Sequence, residues 1–338
     1  MKYSQRRLKV FVAFNKPQST ADSEDVDYLS EAAVKDEANA VYQSLTATGH
    51  EPRYLAVENL SADLSLIEQF APEVLFNLCE GFRGSARHEM HVAGLWELLG
   101  IPYTGNSAFT LGLAQNKVLS KKLFESKKIP TPPYQVYRET PQDTYLAYPL
   151  IAKPAREDAS LGITQESVIH NFEELQQAVN RLLQKYRQPI LVEKYIPGRE
   201  FNISILGNHP ARVLAISEID FSRLEEGYHR ITSYEAKWLT DHPIYHHTPA
   251  IVPAEVEAGL AHRLEDVALR VYELLSGRDY GRVDLRVDEQ GHIFVLEYNP
   301  NPDISPDAGY SRALGAAGIE YHDFINFLLQ EALTRKAL

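Results

Sequence analysis

Arg282, Asp284, Glu297 and Asn299 fall within one short stretch, and their side chains are of the kind that hold a hard cation next to a fixed positive charge. Val283, Leu285 and Val287 precede the turn-forming 288–291 segment, and Ile293, Val295 and Tyr298 follow it, so the stretch is predicted to fold as a β-hairpin. Residues of like parity share a face. Folding near Glu289 and Gln290 places Glu297 opposite Arg282 and Val283, with Asp284 and Asn299 one diagonal away. Two carboxylates and an amide oxygen then converge. Such hard ligands, with no thiolate or imidazole among them, suit Mg²⁺, which keeps waters and takes further ligands from nucleotide phosphates. The same residues also fit a hairpin that simply carries solvated charge on its outer face.

The elements that would position this hairpin alternate along the chain. Leu8 to Phe14, Pro52 to Val57 and Val74 to Leu78 are predicted strands, and Glu31 to Thr48 and Met90 to Leu99 are predicted helices stopped by Gly49 and Gly100. This is the rhythm of an open parallel α/β sheet. A polar, acidic segment over 15–30 is expected as a loop at the carboxyl end of the first strand, where ligand loops often sit. A helix is predicted from Leu111 to Ser126, followed by the proline-rich 129–133 boundary. Beyond it, Tyr148 to Lys153 is a short apolar strand ending in a lysine, and 155–163 is a small-residue loop whose N–H groups and Ser160 could close over phosphates. A lysine at a strand end is equally well just solvated, and Gly162 by itself serves any turn. Phe172 to Tyr186 is predicted as a helix and Pro189 to Ile196 as a strand. Glu193 on that strand either grips a nucleotide base or ribose or is a solvated edge residue.

Composition narrows the function classes. A chain of 338 residues with 44% hydrophobic content buries a sizeable core and divides into two or three domains. The net charge of -12 excludes general attraction to nucleic acid or an anionic membrane, so the expected partner is a small molecule. No run approaches membrane-span length and the N-terminus lacks an apolar signal region, so a cytoplasmic location is expected. Cys79, the single cysteine, excludes an internal disulfide and reads as a small buried hydrophobe.

Six motifs in order give the chain a family likeness: Gly100 to Gly105 with Asn116 and Lys117, Ile151 to Lys153 with the loop to Gly162, Val192 to Glu200, Tyr234 to Lys237, Gly281 to Asp284, and Leu296 to Asn299. The chain resembles the ATP-grasp ligases, and among them the D-alanyl-D-alanine ligases. The resemblance implies an α/β (α+β ATP-grasp) fold: an N-terminal open parallel α/β domain over 1–110, then two α+β subdomains over 111–198 and 199–338 that clasp ATP between antiparallel sheets. It implies Lys117 and Lys153 on the phosphates under a closing loop that includes Ser160 and Gly162. Glu193, Lys194 and Ile196 would line the adenine, and Glu200 would hold the ribose. Asp284, Glu297 and Asn299 would bind two Mg²⁺ ions, with Mn²⁺ as an alternative. Arg282 would stabilise an oxyanion and Lys237 would lie near the γ-phosphate. The implied reaction joins a carboxylate to an amine through an acylphosphate, on amino-acid or peptide substrates. Relatives of this kind are commonly dimers through the N-terminal domain, so a homodimer is expected.

Departures from the family pattern lie at the substrate subsites. The family's N-terminal Glu anchor is replaced by Phe14 to Gln18 and the acidic loop, its first phosphate-loop serine by Ala159, and its tyrosine after the Tyr234 to Lys237 stretch by Trp238. Asn299 to Gly309 replaces the wall that grips the second amino acid. Substrates other than two D-alanines are therefore expected, with an authentic D-alanyl-D-alanine ligase and a nucleotide-binding protein without turnover as the alternatives. The acids at 22–27, with Asp303 and Asp307, would favour a basic substrate or are solvated. Tyr310 and Arg312 would cap the second-substrate site, Arg312 by pairing a carboxylate. His242, His246 and His247 have the look of a metal cluster, but the flanking prolines predict a loop. Arg223, His229 and Arg230 lie where the family has a mobile substrate loop.

Overall fold

The computed structural model describes residues 6–16, 28–158 and 160–335. Strand β1 (Lys9–Asn15) is buried on both faces through its middle, the mark of a parallel strand covered on each side. Helix α1 (Tyr28–Ala47) leads to β2 (Glu51–Val57), and α2 (Leu60–Phe70) leads to β3 (Val74–Leu78). The three strands pair in parallel in the order β2-β1-β3. Sequence reading passed over α2, whose start is fixed by Asn59 accepting the N–H groups of Ser61 and Ala62. Helix α3 (Glu89–Leu98) follows and stops at Gly100.

The helix expected from Leu111 to Ser126 is two helices, α4 (Ala108–Gln115) and α5 (Lys117–Ser126). Asn116 leaves the helical region at φ -86° and ψ 82°, and its side chain accepts the Leu119 N–H at 3.2 Å, so local capping overrides the continuous apolar pattern. The break makes Lys117 the first residue of α5, with its N–H bonded to the Ala155 carbonyl at 3.1 Å.

The second sheet comprises β4 (Tyr134–Tyr137), β5 (Leu150–Pro154), β6 (Val168–Ile169) and β7 (Ile190–Lys194), antiparallel in the order β4-β7-β5-β6. Helix α6 (Phe172–Tyr186) covers it with Leu175, Ala178, Val179 and Leu182, one apolar stripe at helical spacing. The third sheet begins with β8 (Arg199–Leu206) and β9 (Arg212–Ile219), continues past the short helices α7 (Tyr234–Trp238) and α8 (Pro243–His247) to β10 (Ala250–Ile251), and ends, after α9 (Ala258–Leu274), with β11 (Tyr280–Val287) and β12 (Ile293–Asn299). Its order is β10-β9-β8-β11-β12. Gly198 turns the chain between these sheets at φ +125°, where a Cβ would lie 2.1 Å from the Val287 carbonyl oxygen. Only glycine passes there. Helices α10 (Gly309–Ala316) and α11 (Tyr321–Thr334) return to the first sheet, with Phe324, Leu328 and Leu329 packed in one core with Val10, Val12 and Phe76.

The hairpin forms, but one residue out of the expected register. A bulge between Asp284 and Leu285 pairs Asp284 with Glu297 and Arg282 with Asn299. Leu296 is the extra residue, and it slides the two carboxylates directly opposite each other.

Candidate active site

A cavity of about 620 Å³ opens between the second and third sheets. Lys153, Ser160, Glu193, Lys194, Ile196, Glu200, Lys237, Arg282, Asp284, Glu297 and Asn299 all line it. Five elements therefore deliver eleven of the expected residues to one space: β5 and its loop, β7, the start of β8, α7, and the hairpin. Lys117 lies just behind the wall, its ammonium 3.1 Å from Glu297 and 2.7 Å from Asp158. Gly162 faces elsewhere. At φ +77°, its Cα is packed so that a Cβ would meet Tyr186 at 2.9 Å and Pro154 at 3.0 Å, which makes it a packing glycine of the loop. Ser160 donates its hydroxyl to the Thr232 carbonyl at 3.0 Å and ties the loop to the segment before α7. Ala159 and the acids at 22–27 lie outside the described residues.

Charge pairing organises the cavity. Asp284 receives Nε and Nη2 of Arg282 at 2.7 and 2.9 Å, and Nδ2 of Asn202 at 2.8 Å. Burial pushes the Asp284 carboxyl up, against the pull of Arg282. Glu297 is the opposite case: burial works against its charge, yet Lys117 and Lys153 hold it down to about 2. Lys117 is correspondingly held above the usual lysine range, where Asp158 and Glu297 overcome the cost of burial. Burial, aided by Arg282, lowers Lys237. Asp284, Glu297 and Asn299 present three oxygen donors on one face of the hairpin, a set that fits a hard divalent cation. Asn299 Oδ1 also accepts the Asn301 N–H at 3.1 Å.

Several expected roles change once partners are visible. Glu193 is neither solvated nor free to grip a ligand alone; it is buried between the ammonium groups of Lys121 and Lys153. Glu200 pairs with Arg286 at 2.7 Å and accepts the Thr232 hydroxyl at 2.7 Å. Lys194 turns its ammonium to the Tyr148 carbonyl at 2.7 Å and still lines the cavity. Tyr310 is a core residue whose hydroxyl donates to the Ile205 carbonyl at 2.7 Å, so it caps no substrate site. Arg312 does reach the cavity wall, with Asp303 and Asp307 beside it. His242 caps α8 through the Ile244 N–H at 3.2 Å; the expected loop is this short helix, and His246 lines the cavity. Arg230 contributes its carbonyl to Arg286, and the His229 ring lies tilted against His170 with centroids 5.3 Å apart. Sequence reading missed Lys121, Asn202 and Arg286. Two of these carried a signal, since Lys121 lies one helical turn after Lys117 and Arg286 continues the Arg282 and Asp284 face of the strand.

Residues 115–330 match the family described as D-ala D-ala ligase C-terminus. The chain belongs to the D-alanine–D-alanine ligase family. As a member it is an ATP-dependent, ADP-forming ligase. It is 36% identical to the "uncharacterized protein y4sG" of Sinorhizobium fredii over 88% of each chain. It is 30% identical to the D-alanine–D-alanine ligase of a Marinomonas species, over 86% of this chain and 88% of that one. The crystal structure of the D-alanine–D-alanine ligase from Bacillus anthracis complexed with ATP superimposes with a TM-score of 0.74 at 20% identity, covering 96% of this chain and 97% of that one. That likeness is one of fold, and it is the ATP-grasp fold. Among the described residues no helix is long and apolar enough to cross a membrane.

Proposed function

We propose that the protein is a carboxylate–amine ligase that uses ATP to join amino-acid-type substrates other than two D-alanines. The observation that carries this reading is the cavity itself. Lys153, Glu193 and Glu200 line a space large enough for a nucleotide, and Trp238, Asp303 and Arg312 line the same cavity, which supports a substrate site beside the nucleotide. In the first step a substrate carboxylate oxygen attacks the γ-phosphorus, the bond to the β-phosphate oxygen breaks, and ADP leaves. Lys117 and Lys153 neutralise the phosphates, and Lys237 stands near the transferred group. In the second step an amine attacks the acyl carbon, inorganic phosphate leaves, and the amine loses its proton. Arg282 steadies the oxyanion while its Asp284 partner keeps the guanidinium in place. Asp284, Glu297 and Asn299 would hold Mg²⁺, which supplies charge neutralisation between two approaching anions. Glu193 and the Lys194 to Ile196 backbone would receive the adenine, and Glu200 the ribose.

The substrate inference rests on Trp238. It lines the cavity next to Lys237, and an indole leaves no hydroxyl for the hydrogen-bonded network expected to hold a small zwitterion. The relatives named as D-alanine–D-alanine ligases favour a second reading, that this chain makes the same dipeptide. Complementation of a strain lacking its cell-wall ligase separates the two: rescue favours the second reading, and failure of a well-expressed protein favours the first. A homodimer and a cytoplasmic location belong to the same proposal.

A further inference from the structure

The charge arrangement behind the nucleotide end of the cavity contains one lysine that no step above uses. Lys121 sits on α5, does not line the cavity, and its side chain is 1% exposed. Its ammonium meets Glu193 and the Thr131 hydroxyl, and Thr131 in turn donates to the Val295 carbonyl at 2.8 Å on β12. Lys121 is thus bolted to the framework. Lys153 reaches the same carboxylate from the cavity side at 2.6 Å, with Glu193 as its ion-pair partner among the described residues. One buried carboxylate therefore serves two ammonium groups, one fixed and one facing the ligand space.

We infer that Lys121 is a positioning residue for nucleotide binding: it is the permanent counterion of Glu193, and its presence frees Lys153 to move from that carboxylate to a phosphate. The inference rests on the proposed ATP site. A buried carboxylate stripped of its only cation carries a large desolvation cost, so without Lys121 the Glu193 charge would hold Lys153 in place. With Lys121 in place, Glu193 is compensated before and after Lys153 moves. The two ammonium groups divide the carboxylate between them, Lys121 on Oε1 and Lys153 on Oε2. Burial draws Lys121 down to about 8 even with Glu193 beside it, in keeping with a charge retained only because its partner needs it.

The test is the dissociation constant of ATP with Mg²⁺, by calorimetry without other substrates, for wild type, Lys121→Met, Lys121→Gln, Glu193→Gln and the Lys121→Met/Glu193→Gln pair. Melting temperatures are recorded beside each. Either Lys121 variant is expected to weaken ATP binding about tenfold or more, and the double variant is expected to bind ATP more tightly than Lys121→Met, because removing the Glu193 charge releases Lys153. A merely structural role would not reverse sign in this way. Wild-type affinity in both Lys121 variants, a double variant no tighter than Lys121→Met, or loss of a cooperative melt in both Lys121 variants would each overturn the inference. Absence of ATP binding by the wild type would instead sink the nucleotide reading on which it stands.

Discussion

Replacing Glu200 with glutamine should cost the fold more than any ligand contact would suggest, because the carboxylate is half of a buried ion pair. The side chains of Arg286 and Glu200 are 4% and 9% exposed and meet at 2.7 Å. Arg286 also donates to the Ile196 carbonyl at 2.7 Å and to the Arg230 carbonyl. At an effective dielectric of about 20, two unit charges at that separation attract by about 6 kcal/mol, and desolvation of both ions offsets most of this. Removing only one partner leaves the other charge uncompensated, at a cost of about 3–5 kcal/mol. A chain of 338 residues has an unfolding entropy of about 0.7 kcal/mol/K, so the melting temperature should fall by about 4–7 °C. Arg286→Met should fall by a similar amount. The Glu200→Gln/Arg286→Met pair should recover much of the loss, since a buried pair exchanged for neutral groups is close to neutral. Scanning calorimetry of the four proteins without nucleotide measures this directly. Additive losses in the double variant, or a Glu200→Gln protein as stable as wild type, would refute the reasoning.

Three further outcomes follow from the same geometry. Glu297 has its carboxyl held to about 2 against an ordinary 4.5, so its ionised form stabilises the fold above pH 4.5 and that stability is lost as pH falls toward 2. The contribution is about 3 kcal/mol at pH 7 and about 1.4 kcal/mol at pH 3, and urea unfolding of wild type against Glu297→Gln in EDTA should show the gap narrowing with acid; a pH-independent gap would contradict it. Gly198→Ala forces a Cβ to within 2.1 Å of the Val287 carbonyl oxygen at φ +125°, and should lower the melting temperature by several degrees, about 3 kcal/mol or more, with an unchanged melt as the contrary result. Cys79 is fully buried and its thiol is pushed well above the usual range by burial and nearby acids. A thiol reagent should label it only after unfolding, and rapid native labelling would show that the region after β3 opens.

What the sequence made legible followed from local rules. The alternation of β1 to β3 with helices, the apolar stripe of α6, and the hairpin were visible because each repeats a short period, and the residues on them fell into one cavity. What escaped depended on single residues acting against the pattern. Asn116 splits a continuous apolar run because its side chain competes with the helix backbone. The bulge at Leu296 moved Glu297 from Val283 to Asp284, a shift that periodicity cannot register. Lys121 and Arg286 were missed because sequence shows a charged residue and not its buried partner. Tyr310 looked like a rim residue after a proline-rich turn, yet the return of α10 and α11 to the first sheet puts it in the core. Long-range packing decided that case.

The central claim, an intact nucleotide site with altered substrate subsites, is tested most directly by ADP release with ATP and Mg²⁺ across D- and L-amino acids, singly and in pairs, with product masses read by mass spectrometry. The account predicts little or no turnover with D-alanine alone and clear turnover with another acid and amine, the product mass being their sum less one water. Robust turnover with D-alanine alone, giving its dipeptide, would contradict it.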